Sequence, residues 1–214
     1  MKLLLQPLPV RIFHWVMFSC VIGLLWTGLY MNDPFEAVRL PLRTVRMVHA
    51  FLGLSLTANL AGQIYYYWRT TKWTELLFLT RDLVNIRSFA RYVFFITGGH
   101  PNYGRYNPGQ KALFTLWGAA VLIAIVTGFT LLLPDMTTGL QRLLNGLNTI
   151  RISHFGVAIF FAMSIPLHLY LVFTEDPAKL QAMFTGYIQV EPKLPPASPD
   201  NPYIQGHAED GPHR

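Results

Sequence analysis

The sequence predicts an all-α integral membrane protein, a bundle of four transmembrane helices holding two b-type haems. Three observations carry that expectation: a shortage of charge, four long apolar stretches, and four histidines inside those stretches. Of the 214 residues, 52% are hydrophobic and only 13% are charged. A soluble domain needs about 25% charged residues to cover its surface. The missing charge points to lipid as the solvent for much of the surface. A net charge of +6 could suggest nucleic acid. The basic residues lie between apolar runs, however, and form no basic stripe, so no nucleic-acid partner is expected.

Bilayer crossing takes about 20 apolar residues, and the stretches at 10–31, 45–68, 112–133 and 151–174 meet that length. Trp15, Tyr30, Trp68, Trp117 and Tyr170 lie near their ends, as interfacial anchors do. Gly23, Gly28, Gly53, Gly118, Gly128 and Gly156 punctuate them. Such residues let helices approach closely, or leave room for a flat macrocycle. Lys2 and the short Leu3–Leu5 run end at Gln6-Pro7 without a small-residue cleavage pattern, so no removable signal peptide is expected.

Four crossings put both termini on one side. That side carries Lys2, Arg11, Lys179 and seven basic residues between 69 and 111; the other carries Arg39, Arg43, Arg46, Arg142 and Arg151. The bias favours both termini and the long loop in the cytoplasm, and the membrane expected is a bacterial inner membrane. Within the long loop, Leu79, Leu83, Ile86, Ala90 and Val93 recur at helical spacing, with Arg81, Asn85, Ser88 and Tyr92 opposite. This predicts an amphipathic helix whose apolar face meets the membrane surface, a partner or the spans. The chain thus divides into a four-helix domain at 1–190 and a polar tail at 191–214, rich in proline (Pro192, Pro195, Pro196, Pro199, Pro202). The tail cannot bury a core. No repeat of solenoid period is present.

His100, His207 and His213 lie in loop or tail and need no special role. His14, His49, His154 and His168 lie inside the spans, where ionisable groups are costly and usually functional. Their depths match in two pairs, His49 with His154 near one face and His14 with His168 near the other. The fourteen residues from His154 to His168 give roughly 21 Å of rise and a rotation about 40° short of four turns. Both imidazoles therefore face one bundle interior, one near each surface. A bare metal ion would want carboxylates or more ligands per site. Two bis-histidine haems stacked across the bilayer fit this pattern best. The lone cysteine, Cys20, excludes a disulfide framework, a cysteine-ligated cluster and a CxxCH attachment within the chain. Pro166, two residues before His168, removes a helix hydrogen bond and could aim that ligand or open a quinone pocket.

The run Gly104-Arg105-Tyr106-Asn107-Pro108-Gly109-Gln110-Lys111 leads directly into the third span. It resembles the corresponding stretch in the membrane cytochrome b subunit of respiratory formate dehydrogenases. So do Ser153-His154-Phe155-Gly156 with His168-Leu169-Tyr170, His14-Trp15, His49 with Phe51 and Gly53, and Lys179–Tyr187 with Met183 and Gly186. The resemblance covers roughly residues 10–190. It implies that His49 and His154 ligate an outer haem fed by a ferredoxin-like iron–sulfur subunit, itself joined to a catalytic subunit. His14 and His168 would ligate an inner haem. Asn107, Gly109 and Gln110 would line a cytoplasmic site for menaquinone or ubiquinone, the acceptor. Asn107 before Pro108 also reads as a helix N-cap. The chain would thus be the quinone-reducing, membrane-anchoring subunit of a multi-subunit oxidoreductase, with no bond made on its own residues, and higher-order assembly is compatible with this. Related cytochromes b serve nickel–iron hydrogenases and thiosulfate-type reductases, and Pro108 and the tail depart from the formate dehydrogenase pattern. A stand-alone quinol oxidase, a histidine-lined proton channel or transporter, and a passive anchor are the competing readings.

Overall fold

In the computed structural model, residues 2–34, 38–93, 96, 106–174 and 177–189 are described. The 191–214 tail, His100, Gly104, Arg105, His207 and His213 lie outside them. The chain opens with a short strand, β1 (Lys2–Leu4), and then α1 (Leu8–Asn32) and α2 (Leu42–Arg69). The connection carries α3 (Trp73–Leu76) and α4 (Thr80–Val93). Next come α5 (Pro108–Leu132), a 3-10 turn at Pro134–Met136, α6 (Thr138–Leu143) and α7 (Leu147–Thr174). The order ends with α8 (Pro177–Thr185) and β2 (Tyr187–Gln189). Helices α1, α5 and α7 are long and apolar enough to cross a membrane, which makes this a multi-pass membrane protein.

Helix α2 matches α7 in length, 28 residues each, but is more polar. Two of its polar side chains turn inward: Asn59 Nδ2 donates to the Phe13 carbonyl at 3.2 Å, and Gln63 Nε2 reaches Met17 Sδ at 3.8 Å. Inter-helix bonds of this kind satisfy polar groups that lipid could not. Helix α1 runs along α2 and α5 along α7, while the two pairs meet each other at fewer points, α1 with α7 and α2 with α5. All four contribute to one core cluster, Cys20, Val21, Leu56, Ala120, Val121 and Phe161.

That core is duplicated. Buried residues of α1 recur 100 positions later in α5: Cys20 and Ala120, Val21 and Val121, Thr27 and Thr127, Tyr30 and Thr130. Those of α2 recur 105 positions later in α7: Val45 and Ile150, Leu56 and Phe161, Asn59 and Ser164. Exchanging α1 with α5 and α2 with α7 leaves the pattern of neighbours unchanged, as in a bundle with an approximate two-fold along its axis. The sequence echoes this in Leu42-x-Thr44-x-Arg46-x-x-His49 and Leu147-x-Thr149-x-Arg151-x-x-His154. A repeat of about 100 residues with so few identities escapes a search for shorter periods.

The chain's two ends meet. Strand β1 pairs antiparallel with β2, Leu3 opposite Ile188, a pairing that apolar periodicity in the helices could not announce. Gly186, at φ +89°, ends α8; its amide bonds the Ala182 carbonyl at 2.8 Å, and its own carbonyl accepts from Leu5 and Gln6. Only a residue at ease in this left-handed conformation closes such a cap, which favours glycine. Arg11 on α1 donates to the Met183 and Phe184 carbonyls, and Trp15 Nε1 donates to Met183 at 3.2 Å. These cations and donors meet the exposed carbonyls at the C-terminus of α8.

Helix α4 forms where expected, and its apolar face is not the one that packs on the spans. Asp82 and Phe89 turn to the bundle, whereas Leu83, Val84 and Ile86 stay exposed. An ion pair decides this. Lys111 Nζ on α5 meets Asp82 Oδ1 at 2.8 Å, and Asp82 Oδ2 accepts the Leu79 amide at 2.9 Å. Desolvation alone would raise the Asp82 pKa; the Lys111 and Leu79 bonds outweigh it and hold the carboxyl below its usual range.

Candidate functional site

The four histidines gather in two places along the slot between the helix pairs. His49 stands seven residues into α2 and His154 seven into α7, so both lie at the end of the bundle opposite the chain termini. Their ring centroids are 6.2 Å apart at an interplanar angle of 66°. His14 and His168 lie at the terminal end, near enough to interact electrostatically. Trp117 packs its edge on His168 at 5.1 Å, and its Nε1 donates to Ser164 at 2.9 Å. The expected pairing by depth is therefore the pairing in space. Helix α7 runs unbroken through Pro166 between its two histidines.

The distal pair has a support that sequence reading missed. Thr27 Oγ1 lies 2.8 Å from His49 Nδ1, and Thr127 Oγ1 lies 2.8 Å from His154 Nδ1. The next residue in each case is glycine. A Cβ on Gly28 would meet His49 Cε1 at 3.4 Å, and one on Gly128 would meet His154 Cε1 at 3.3 Å. Each Thr-Gly step thus anchors one edge of an imidazole and gives its ring room. The signal was available in the sequence as a Thr-Gly pair recurring at 27–28 and 127–128.

Do these residues suit haem? A metal–imidazole bond of about 2.0–2.1 Å, plus ~1.1 Å from nitrogen to ring centre on each side, puts two axial imidazoles roughly 6.2–6.4 Å apart. The distal rings already stand at that spacing. With Nδ1 engaged by threonine, each ring keeps Nε2 for iron. At the other end His14 Nδ1 is buried with no hydrogen-bond partner among the described residues, a cost that an unoccupied structural histidine would not bear for nothing. Among the described residues no three histidine, cysteine or carboxylate side chains gather; pairs of imidazoles are what the slot offers. The donor set fits a bis-histidine haem.

The residues expected to meet quinone, Asn107, Gly109 and Gln110, sit at the start of α5. Asn107 Oδ1 accepts the Gln110 amide at 2.8 Å, and Gln110 Oε1 accepts the Asn107 amide at 3.1 Å. This reciprocal capping box starts α5, with Pro108 in the first turn. A Cβ on Gly109 would lie 2.5 Å from Phe89 Cε1 and Cζ, so this glycine lets α4 pack on α5. Tyr106 accepts from buried Gln6 Nε2 at 3.2 Å, joining the start of α5 to the N-terminal segment.

Comparison with known proteins gives the chain a family. The chain is 22% identical over 204 aligned positions to a protein of Rhodobacter capsulatus described as a probable Ni/Fe-hydrogenase B-type cytochrome subunit, covering 84% of this chain and 77% of the relative. The profile of the prokaryotic cytochrome b561 family matches residues 5–186. That span includes every long helix and all four paired histidines, so the chain belongs to the prokaryotic cytochrome b561 family, and b-type haem is the cofactor this membership implies.

Proposed function

We propose that the protein is the membrane-anchoring, di-haem cytochrome b subunit of a respiratory oxidoreductase, moving electrons across a bacterial inner membrane to a quinone. The observation that carries the reading is the pair of histidine pairs, one near each end of a four-helix bundle. Haem, held by a histidine pair at each end, would supply reversible one-electron transfer. His49 and His154 hold the group at the distal end, and His14 and His168 hold the one at the terminal end.

Helix α2 is the fourth span in this reading. Its 28 residues reach about 42 Å, beyond the roughly 30 Å of a hydrocarbon core. The β1–β2 pairing supports the same count, since ends that meet on one side require an even number of crossings. With the termini in the cytoplasm, the distal pair faces outward and receives electrons from an iron–sulfur subunit attached to a catalytic subunit. Quinone is then reduced near His168 and takes its protons from the cytoplasm. The capping box uses the oxygens of Asn107 and Gln110, and each amide still has an NH2 group to offer a quinone carbonyl.

The named relative favours a nickel–iron hydrogenase as the donor enzyme. Formate dehydrogenase is the second reading, favoured by the run from Tyr106 to Lys111. Purification of the intact complex decides between them. The reduced protein should show b-type absorbance that disappears on adding a quinone, with nickel in the catalytic subunit for the first reading and molybdenum or tungsten for the second. A chain that carries no haem, or reduced haem indifferent to every quinone, would contradict the proposal.

A further inference from the structure

The geometry points to Thr27 and Thr127 as positioning residues that make the distal haem the lower-potential member of the pair, so that electrons entering there run downhill toward the chain termini. This rests on the two-haem reading above.

Each threonine hydroxyl has one proton to give, and in both cases its own helix takes it. Thr27 Oγ1 lies 2.6 Å from the Gly23 carbonyl and 3.2 Å from that of Leu24. Thr127 Oγ1 lies 2.6 Å from the Ile123 carbonyl and 3.3 Å from that of Ala124. What remains for the imidazole 2.8 Å away is an oxygen lone pair, so Nδ1 of His49 and of His154 must carry the proton and donate it. A ring protonated at Nδ1 has its free lone pair at Nε2, the ligating atom. Donation from Nδ1 also raises the basicity of that nitrogen, and a more basic axial ligand favours the ferric state.

Both threonines are almost wholly buried, at 2% and 4% exposure, so water does not compete for the bond. The approximate two-fold gives the distal site this device twice. Among the described residues no hydroxyl bonds either terminal imidazole, His14 or His168, as Thr27 and Thr127 bond the distal pair. The position equivalent to His14 is Phe114, and that equivalent to His168 is Gln63. His14 Nδ1 itself is buried without a hydrogen-bond partner among the described residues. Its ligating nitrogen gains nothing from a neighbour.

The test is a potentiometric titration of the purified, haem-loaded full chain, followed in the b-type absorption band. His49→Ala identifies the distal midpoint by deleting it, and the midpoint deleted should be the lower. Thr27→Val and Thr127→Val should each raise that midpoint by a threefold to tenfold change in the reduction equilibrium, the tenfold end being about 59 mV for one electron. The terminal midpoint should stay where it is. Thr27→Ser and Thr127→Ser keep the hydroxyl and should keep the wild-type value, and Thr→Ala at either position repeats the test should valine prevent loading. The inference is overturned if the distal midpoint is the higher, if valine moves neither midpoint or both alike, or if serine shifts it as much as valine. Wild-type protein with fewer than two haems overturns the two-haem reading itself, and this inference with it.

Discussion

The two ends of the bundle are built on different plans. At the distal end His49 and His154 come from helices that the internal two-fold exchanges, and each is held by the same Thr-Gly step on the neighbouring helix. At the terminal end His14 and His168 come from helices that are not equivalent, and their surroundings are held by unrelated devices. Those are the Trp117–Ser164 bond, the Asn107–Gln110 cap and the Asp82–Lys111 ion pair. The difference shows how a duplicated scaffold holds two unlike sites. One end keeps the symmetry and fixes its ligands rigidly. The other abandons it: α4 packs on α5 and α8 packs on α7 at that end.

The comparison is broken most severely by filling the glycine beside a distal ring. Gly128→Val should push His154 out of line and remove the distal haem while sparing the terminal one, because even a Cβ there lies 3.3 Å from the imidazole. A Cβ on Gly118 of the same helix would meet nothing within 4 Å, so Gly118→Val should leave both haems in place. Haem content per chain measures both, and equal effects of the two variants would deny the distal glycine its role.

At the terminal end, Asp82→Asn should loosen α4 from α5. Leaving the Lys111 ammonium without its carboxylate costs roughly 1–3 kcal/mol, and limited proteolysis between α4 and α5 should speed up accordingly. The same contact has a definite pH response. Asp82 titrates below its ordinary 3.8 in the folded chain. Its stabilising contribution is therefore present in full above that ordinary value and is lost as pH falls through the lower, folded one. Proteolysis of the wild type should be flat from neutral pH down to about 5 and rise only below about 4. The smallest effect expected is that of Asn107→Ala, which removes the cap of α5 at about 1 kcal/mol. A larger loss of quinone turnover than of thermal stability in this variant would assign Asn107 to the quinone site as well.

Much of this was legible beforehand, for a physical reason. Lipid exposure writes itself into composition, and the fixed rise of a helix turns the spacing of His154 and His168 into depth. The histidine pairs followed from that alone. The Asp82–Lys111 contact did not, because periodicity along 79–93 marks an apolar face without saying whether lipid or the bundle receives it. Leu83 and Ile86 stay on the side away from the spans, and the ion pair with Lys111 turns Asp82 toward them. Strands β1 and β2 are three residues each, and nothing local announces that the ends of the chain will pair. The threonine supports are a different omission. A threonine inside a span carries no local mark of such a role; the packing of α1 on α2 and of α5 on α7 brings Thr27 and Thr127 to their histidines.

The central claim is that two histidine pairs hold two haems, and the haem-to-chain ratio in three purified proteins tests it most directly. Wild type should carry two b-type haems, His154→Ala only the terminal one and His168→Ala only the distal one, with two different midpoints surviving. One haem in the wild type, or a variant that keeps both, would contradict the account.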